Sequence, residues 1–278
     1  MTAAMAAGSD LPSLGLVPGW LTTASHWWGQ YGLVASLREH VIYTVVAVLV
    51  ASLIALPIGL IIGHTGRGVF AVVGLANSIR AVPAFGLLLL FVVTITPKIH
   101  YKPAIKGVVE RGGVGYLIAV MIVLVILAIP PVLTNTYAGV QNVDPAVRDA
   151  AKGMGMTGGQ VLRQVEFPIA LPLIMAGIRS AVLQVIATAT IAAFVPFLGG
   201  LGYQIFNGLQ SINDHELGYP RMIGGAVLVA ALAVVADMVL LGVQRLVVSP
   251  GVSGRFQVKQ LPALAQLSDA AEVTPTKS

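Results

Sequence analysis

The chain has 278 residues, of which 56% are hydrophobic and 10% charged, and its formal net charge is +5 at pH 7. Soluble domains carry about 25% charged residues, so the composition excludes an ordinary water-soluble globule and specifies an integral membrane protein; its long apolar runs, taken below as helices, make the expected fold all-α. With no cysteine, disulfides, thiol nucleophiles and thiolate metal sites are excluded.

His26, His40, His64, His100 and His215 are scattered without ligand spacing. Basic residues are spread over the inter-segment loops rather than clustered, which suits anionic lipid headgroups better than nucleic acid.

Residues 1–40 are rich in Gly, Pro and Ser and lack the charged and apolar regions of a cleaved signal; Trp20, Trp27, Trp28 and Tyr31 fit an aromatic band at a membrane surface. Residues 41–63 then run without a formal charge, long enough to cross the roughly 30 Å hydrocarbon layer as a helix. After a polar turn containing Arg67, residues 69–96 form a second block interrupted by Asn77-Ser-Ile-Arg80 and Pro83. This pattern predicts a broken or kinked span. Arg80 is costly in lipid and is expected to face protein, water or the interface.

A basic loop at 97–113 contains Lys98, Lys102, Lys106 and Arg111 and leads to a third span at 114–133. Residues 173–196 and 222–243 give the fourth and fifth spans, with a loop at 199–219 between them. Arg179 stands near the start of the fourth. Asp237, in the fifth, is expected to be structural, reaching water or a base such as Arg245. The glycines of Gly199-Gly-Leu-Gly202 lack the Lys-Ser/Thr of a phosphate-binding loop. Residues 246–278 form a polar tail.

The longest polar helical stretch lies between the third and fourth spans. Asp144 is placed to cap a helix with Pro145 at its first position, predicting a short helix over 145–153. Thr157 and Gln160 have capping-box spacing and open a second helix over 160–167 that Pro168 is expected to interrupt. Two ordered helices there suggest a docking surface for another protein; an interfacial anchor is the plainer alternative.

Within that stretch, Asp149-Ala150-Ala151, Gly155 and Val165-x-Phe167-Pro168 resemble the EAA loop of binding-protein-dependent ABC importer permeases. Asp149, Val165 and Phe167 stand where that family usually has Glu, Ile and Leu. The runs NTYAGV at 135–140, VDPAV at 143–147, AAKGMGM at 150–156 and QVIATAT at 184–190 are similar to permeases for glycine betaine, carnitine and choline.

The resemblance implies a type I (MetI-like) permease with about five core spans at 41–245 and a cytoplasmic coupling loop at 137–172. It implies a multi-pass protein of the bacterial inner membrane, with the N-terminus outside and the C-terminus inside. Asp149, Ala150, Ala151 and Gly155, flanked by Arg148 and Lys152, become the contact with an ABC ATPase dimer. ATP is used by that partner, and no cofactor is bound directly. An extracytoplasmic solute-binding protein and a second permease chain complete the assembly.

Gln184, Thr188 and Thr190 are the candidate pathway residues, since a polar stripe in a span faces protein or water. Phe85, Phe194, Phe197 and Phe206 are weaker candidates for contacting a cationic solute. Two alternatives stay open: a permease for another small nutrient such as an amino acid, and a docking protein that transports nothing.

Overall fold

The computed structural model describes residues 14–98, 114–195, 198–214 and 216–249, and every regular element among them is helical. Two short helices, α1 (Leu16–Thr22) and α2 (Ala24–Trp27), precede the first long helix, α3 (Leu33–Thr65). Next come α4 (Val69–Ala81) and α5 (Ala84–Ile95), then α6 (Val114–Gln141), α7 (Pro145–Gly153), α8 (Gly158–Val161), α9 (Phe167–Ala192), α10 (Leu201–Gln210) and α11 (Gly218–Val247). The segments 1–13, most of the basic loop with Lys102, Lys106 and Arg111, Phe197, and the tail beyond 249 lie outside the described residues.

Four helical stretches are long and apolar enough to cross a bilayer: Leu33–Thr65, Gly115–Gln141, Gly158–Ala192 and Gly218–Val247. The pair α4 and α5, bent by 90° at its break, makes up to a fifth. The cause of that break is local. Pro83 has no N–H and disfavours helical backbone at Val82, which is extended at φ −72°, ψ 130°. The chain is therefore a multi-pass membrane protein whose second apolar block is sharply bent where the proline stands.

Helix α6 is the centre of the bundle. Ala119, Val120, Val123, Leu124, Ala128 and Val132 are fully buried between α3 and α9. Lipid supplies no hydrophobic drive for helix association, so close backbone approach at small residues does the work. A Cβ built on Gly59 or Gly63 of α3 would stand 2.8 Å from Thr136 or 2.6 Å from Val140 of α6. One on Gly177 of α9 would stand 2.7 Å from Asn135. In contrast, none of the most hydrophobic window of α11 is buried within the chain, so that face is left to lipid or another subunit.

Several boundaries differ from the sequence expectation. Helix α3 begins at Leu33, upstream of residue 41, carrying Glu39 and His40 into the bundle. The segment 199–219, expected to be a loop, contains helix α10. Pro168 does not interrupt the helix after Thr157. A π turn over Leu162–Glu166 links α8 to α9, with the Phe167 N–H donating to Leu162 O five residues back. Proline cannot bond the carbonyl four residues earlier, and the wider turn absorbs that mismatch so that Gly158–Ala192 runs through.

A coupling-type joint and a cavity at the broken helix

The α7 segment forms as its caps require. Asp144 Oδ1 accepts from the Ala146 N–H at 2.8 Å, Pro145 occupies the first helical position, and Thr157 N donates to Gln160 Oε1 at 2.7 Å. Gly155 closes α7 at φ +85°, a backbone that a side chain would strain.

The candidate contact residues separate into two groups. Asp149, Ala150, Lys152 and Gly155 are exposed, Arg148 is half-buried, and Ala151 is buried at 2% exposure. Val147, Ala150 and Met154 share one face of the helix, and Met154 is 74% exposed. Ala151 points back into the protein.

What anchors α7 is a carboxylate with no place among the expected site residues. Glu166, in the π turn, is 1% exposed and takes two partners. His64 Nδ1, from the end of α3, donates to its Oε2 at 2.7 Å, and Arg148 Nε of α7 lies 3.0 Å from its Oε1. Arg148 also donates to Val140 O at the end of α6. One buried acid thus ties α7 to α3 and α9, while Arg148 adds α6. The signal in the sequence was an acid beside Pro168 and a histidine closing a span, two features whose meeting only the fold reveals.

At the opposite end of α3 a second buried acid holds the glycine run. Gly200 N donates to Glu39 Oε2 at 2.9 Å, and Leu201 N to His40 Nδ1 at 3.3 Å. A Cβ at Gly199 would fall 1.6 Å from the Glu39 carboxylate. The glycines therefore serve a tight turn around a protein acid. Gln204 of α10 donates to Ser36 Oγ at 2.9 Å and accepts from Arg221 Nε at 2.8 Å, tying α10 to α3 and α11.

The aromatic residues near the N-terminus also divide. Trp20 is buried on α11, where a Cβ at Gly224 would meet its ring at 2.6 Å, while Trp28 is 71% exposed. Asp237 is held by Arg179 of α9 in a two-pronged contact of 2.9 Å on each side.

Between α4, α5, α6 and α9 lies a cavity of about 490 Å3 lined by Ile79, Arg80, Leu127, Pro131, Ser180 and Gln184. Of the three expected pathway residues only Gln184 lines it. Thr188 is buried, its hydroxyl donating to Gln184 O at 2.8 Å, and Thr190 donates to Ile186 O at 2.8 Å. Phe85 meets Phe194 edge-on at 6.0 Å, and Phe194 meets Phe206 at 5.0 Å.

This architecture has solved counterparts. Two inward-facing crystal structures of the MetNI methionine ABC transporter contain a chain that superimposes with a TM-score of 0.64, over 78% of this chain and 96% of that one. At 20% and 22% identity the likeness shows the fold.

Curated relatives are nearer in sequence. The glycine betaine/carnitine/choline transport system permease protein OpuCB of Bacillus subtilis is 34% identical, with 79% of this chain and 90% of the relative covered. The carnitine transport permease protein OpuCD of Listeria monocytogenes is 35% identical over 74% and 82%. The osmoprotectant import permease protein OsmW of Salmonella typhimurium is 32% identical over 80% and 94%. Residues 55–252 match the family described as "Binding-protein-dependent transport system inner membrane component". From the bent α4–α5 pair to the carboxylate-anchored joint, the chain belongs to that family of transport permeases.

Proposed function

We propose that this chain is the membrane-spanning subunit of an ATP-driven importer for quaternary ammonium osmoprotectants such as glycine betaine, carnitine, choline or proline betaine. The observation that carries the reading is similarity over 74–80% of the chain to permeases whose names give glycine betaine, carnitine and choline, carnitine alone, or osmoprotectants.

In this reading, α7 faces the cytoplasm and docks on an ABC ATPase dimer, with Asp149, Ala150, Lys152 and Gly155 at the joint. Arg148 and Ala151 hold α7 against the bundle. The N-terminus then lies outside and the C-terminus inside, in a bacterial inner membrane. An extracytoplasmic receptor delivers solute, and a second permease chain supplies the other wall of the path. ATP closure of the ATPase pair moves α7. Glu166 passes that motion directly to α3 and α9, and Arg148 carries it to α6, so the helices around the cavity shift together.

The test is reconstitution of the permease with its ATPase and receptor in proteoliposomes, followed by uptake of a labelled solute panel. ATP-dependent uptake of quaternary ammonium solutes is expected. Uptake restricted to amino acids that lack the quaternary group would replace the osmolyte assignment, and docking without uptake would favour a scaffold.

A further inference from the structure

Arg80 is placed where an arginine needs a reason. It closes α4 immediately before the 90° break, beside a cavity whose opposite wall is Ser180, at the centre of the 26-residue α9, together with Gln184 one turn on. Arg80 is exposed within the chain, and a cation on an apolar helix is costly unless it meets water, protein or a ligand. Its protein partner is the Thr134 hydroxyl, which accepts from Arg80 Nη2 at 3.0 Å. A guanidinium has five N–H donors in a planar fork, and among the described residues no carboxylate forms an ion pair with it. By contrast Arg179, on the facing helix α9, has its fork filled by Asp237.

The surroundings extend this polar point into a track. Ser180, Gln184, Ala187 and Ile191 recur every three or four residues on α9 and are exposed, and the exposed Phe194 follows in the turn after the helix ends at Ala192. This line runs from the Arg80 cavity along α9 and, just past its end, meets the contact of Phe194 with Phe85, two residues past the break. A planar fork suits a carboxylate, and aromatic faces suit a quaternary ammonium.

We infer that Arg80, with Ser180 and Gln184, forms a carboxylate-binding station in the solute path, so that this permease distinguishes zwitterionic osmolytes from carboxylate-free ones. The inference rests on the osmolyte reading and adds a discriminating site within the membrane to whatever selection the receptor makes. Arg80 binds the carboxylate through its free donors while Thr134 fixes the direction of the fork. Ser180 and Gln184 offer further hydrogen bonds from the facing wall, and the solute's ammonium end lies toward the phenylalanines.

The test uses the complete importer in proteoliposomes, with its receptor saturated in turn by glycine betaine, which carries a carboxylate, and by choline, which does not. Arg80→Gln is expected to lower maximal ATP-driven uptake of glycine betaine about tenfold or more and to change choline uptake less than about twofold, as loss of a charge-assisted hydrogen bond predicts. Arg80→Lys keeps the charge without the fork and is expected to recover part of the loss. Equal losses for both solutes, or no loss for either, overturn the assignment. Equal losses accompanied by weaker pairing of the permease chains assign Arg80 to the subunit interface instead. If the unaltered importer carries instead a carboxylated solute without a quaternary ammonium group, the osmolyte reading falls, and the same comparison between that solute and its amide decides the role of Arg80. If it carries only carboxylate-free quaternary ammonium solutes such as choline, the assignment of Arg80 falls and the osmolyte reading stands.

Discussion

Glu166 carries the mechanical argument at the level of single residues. Removing one partner of a fully buried ion pair costs about 3–5 kcal/mol. His64 and Arg148 are 25% and 21% exposed, so Glu166→Gln is expected to cost less, about 2 kcal/mol. Thermal unfolding of the purified chain measures that loss. Transport per ATP hydrolysed should fall further than stability alone explains, because α7 loses its direct tie to α3 and α9. Unchanged stability and unchanged transport efficiency would remove Glu166 from the account.

Ala150 and Ala151 make a matched pair on the same helix. Ala150 is exposed and Ala151 is 2% exposed. Ala150→Glu should impair ATPase association without lowering the melting temperature, whereas Ala151→Glu buries an unpaired charge and should lower both. Equal melting temperatures for the two variants would show that α7 does not pack as described. Gly155, at φ +85° in open space, behaves differently again. Alanine there is strained by about 1–2 kcal/mol from backbone alone, and asparagine, which tolerates that conformation, should preserve more uptake.

At the scale of helices, α9 and α11 are joined across the membrane interior by Arg179 and Asp237. Both side chains are 27% exposed within the chain. Asp237→Ala leaves a lone guanidinium at a depth where charge costs about 2.5–3.5 kcal/mol. Its melting temperature should drop clearly, and the double variant Arg179→Leu/Asp237→Leu should be more stable than the single one. A double variant worse than the single would mean the pair does more than neutralise itself. Packing of α9 on α6 makes a parallel prediction. Gly177→Leu has no room beside Asn135 and Pro131 and should reduce the folded yield.

The elements that could be read from the chain were those whose signals are local. Asp144 with Pro145 marks the start of α7, and Pro83 with Arg80 marks the sharp bend between α4 and α5. Uninterrupted apolar length marks the spans, but not their ends. Helix α3 extends through Glu39 and His40 because the backbone around Gly200 satisfies them, a contact separated by 161 residues. Helix α10 was hidden by the neighbouring glycines, whose conformation serves the Glu39 turn. The π turn at Leu162–Glu166 was equally invisible, because Pro168 signals a break in an isolated helix. Here the surrounding bundle holds the helix through it.

For the whole molecule, the described residues form a bundle centred on α6, with a polar joint at one end and a hydrogen-bonded α10 at the other. The cavity at the broken helix lies between them. The helix α7 and its caps were legible in the sequence, while the burial of Ala151, the anchoring of Arg148 by Glu166 and the juxtaposition of Arg80 with Gln184 required the fold. The uncovered face of α11 shows that the chain does not bury its whole apolar surface by itself.

The central claim is that α7 is the joint through which a separate ATPase drives the membrane helices. The chain contains no cysteine, so Met154→Cys, on the exposed face of α7, introduces a single thiol. Cross-linking from that thiol to the ATPase in the assembled importer, with and without ATP, tests the claim directly. The account predicts a cross-link to the ATPase whose yield changes with nucleotide. Labelling of the same thiol from outside intact cells, with no cross-link in either state, would contradict it.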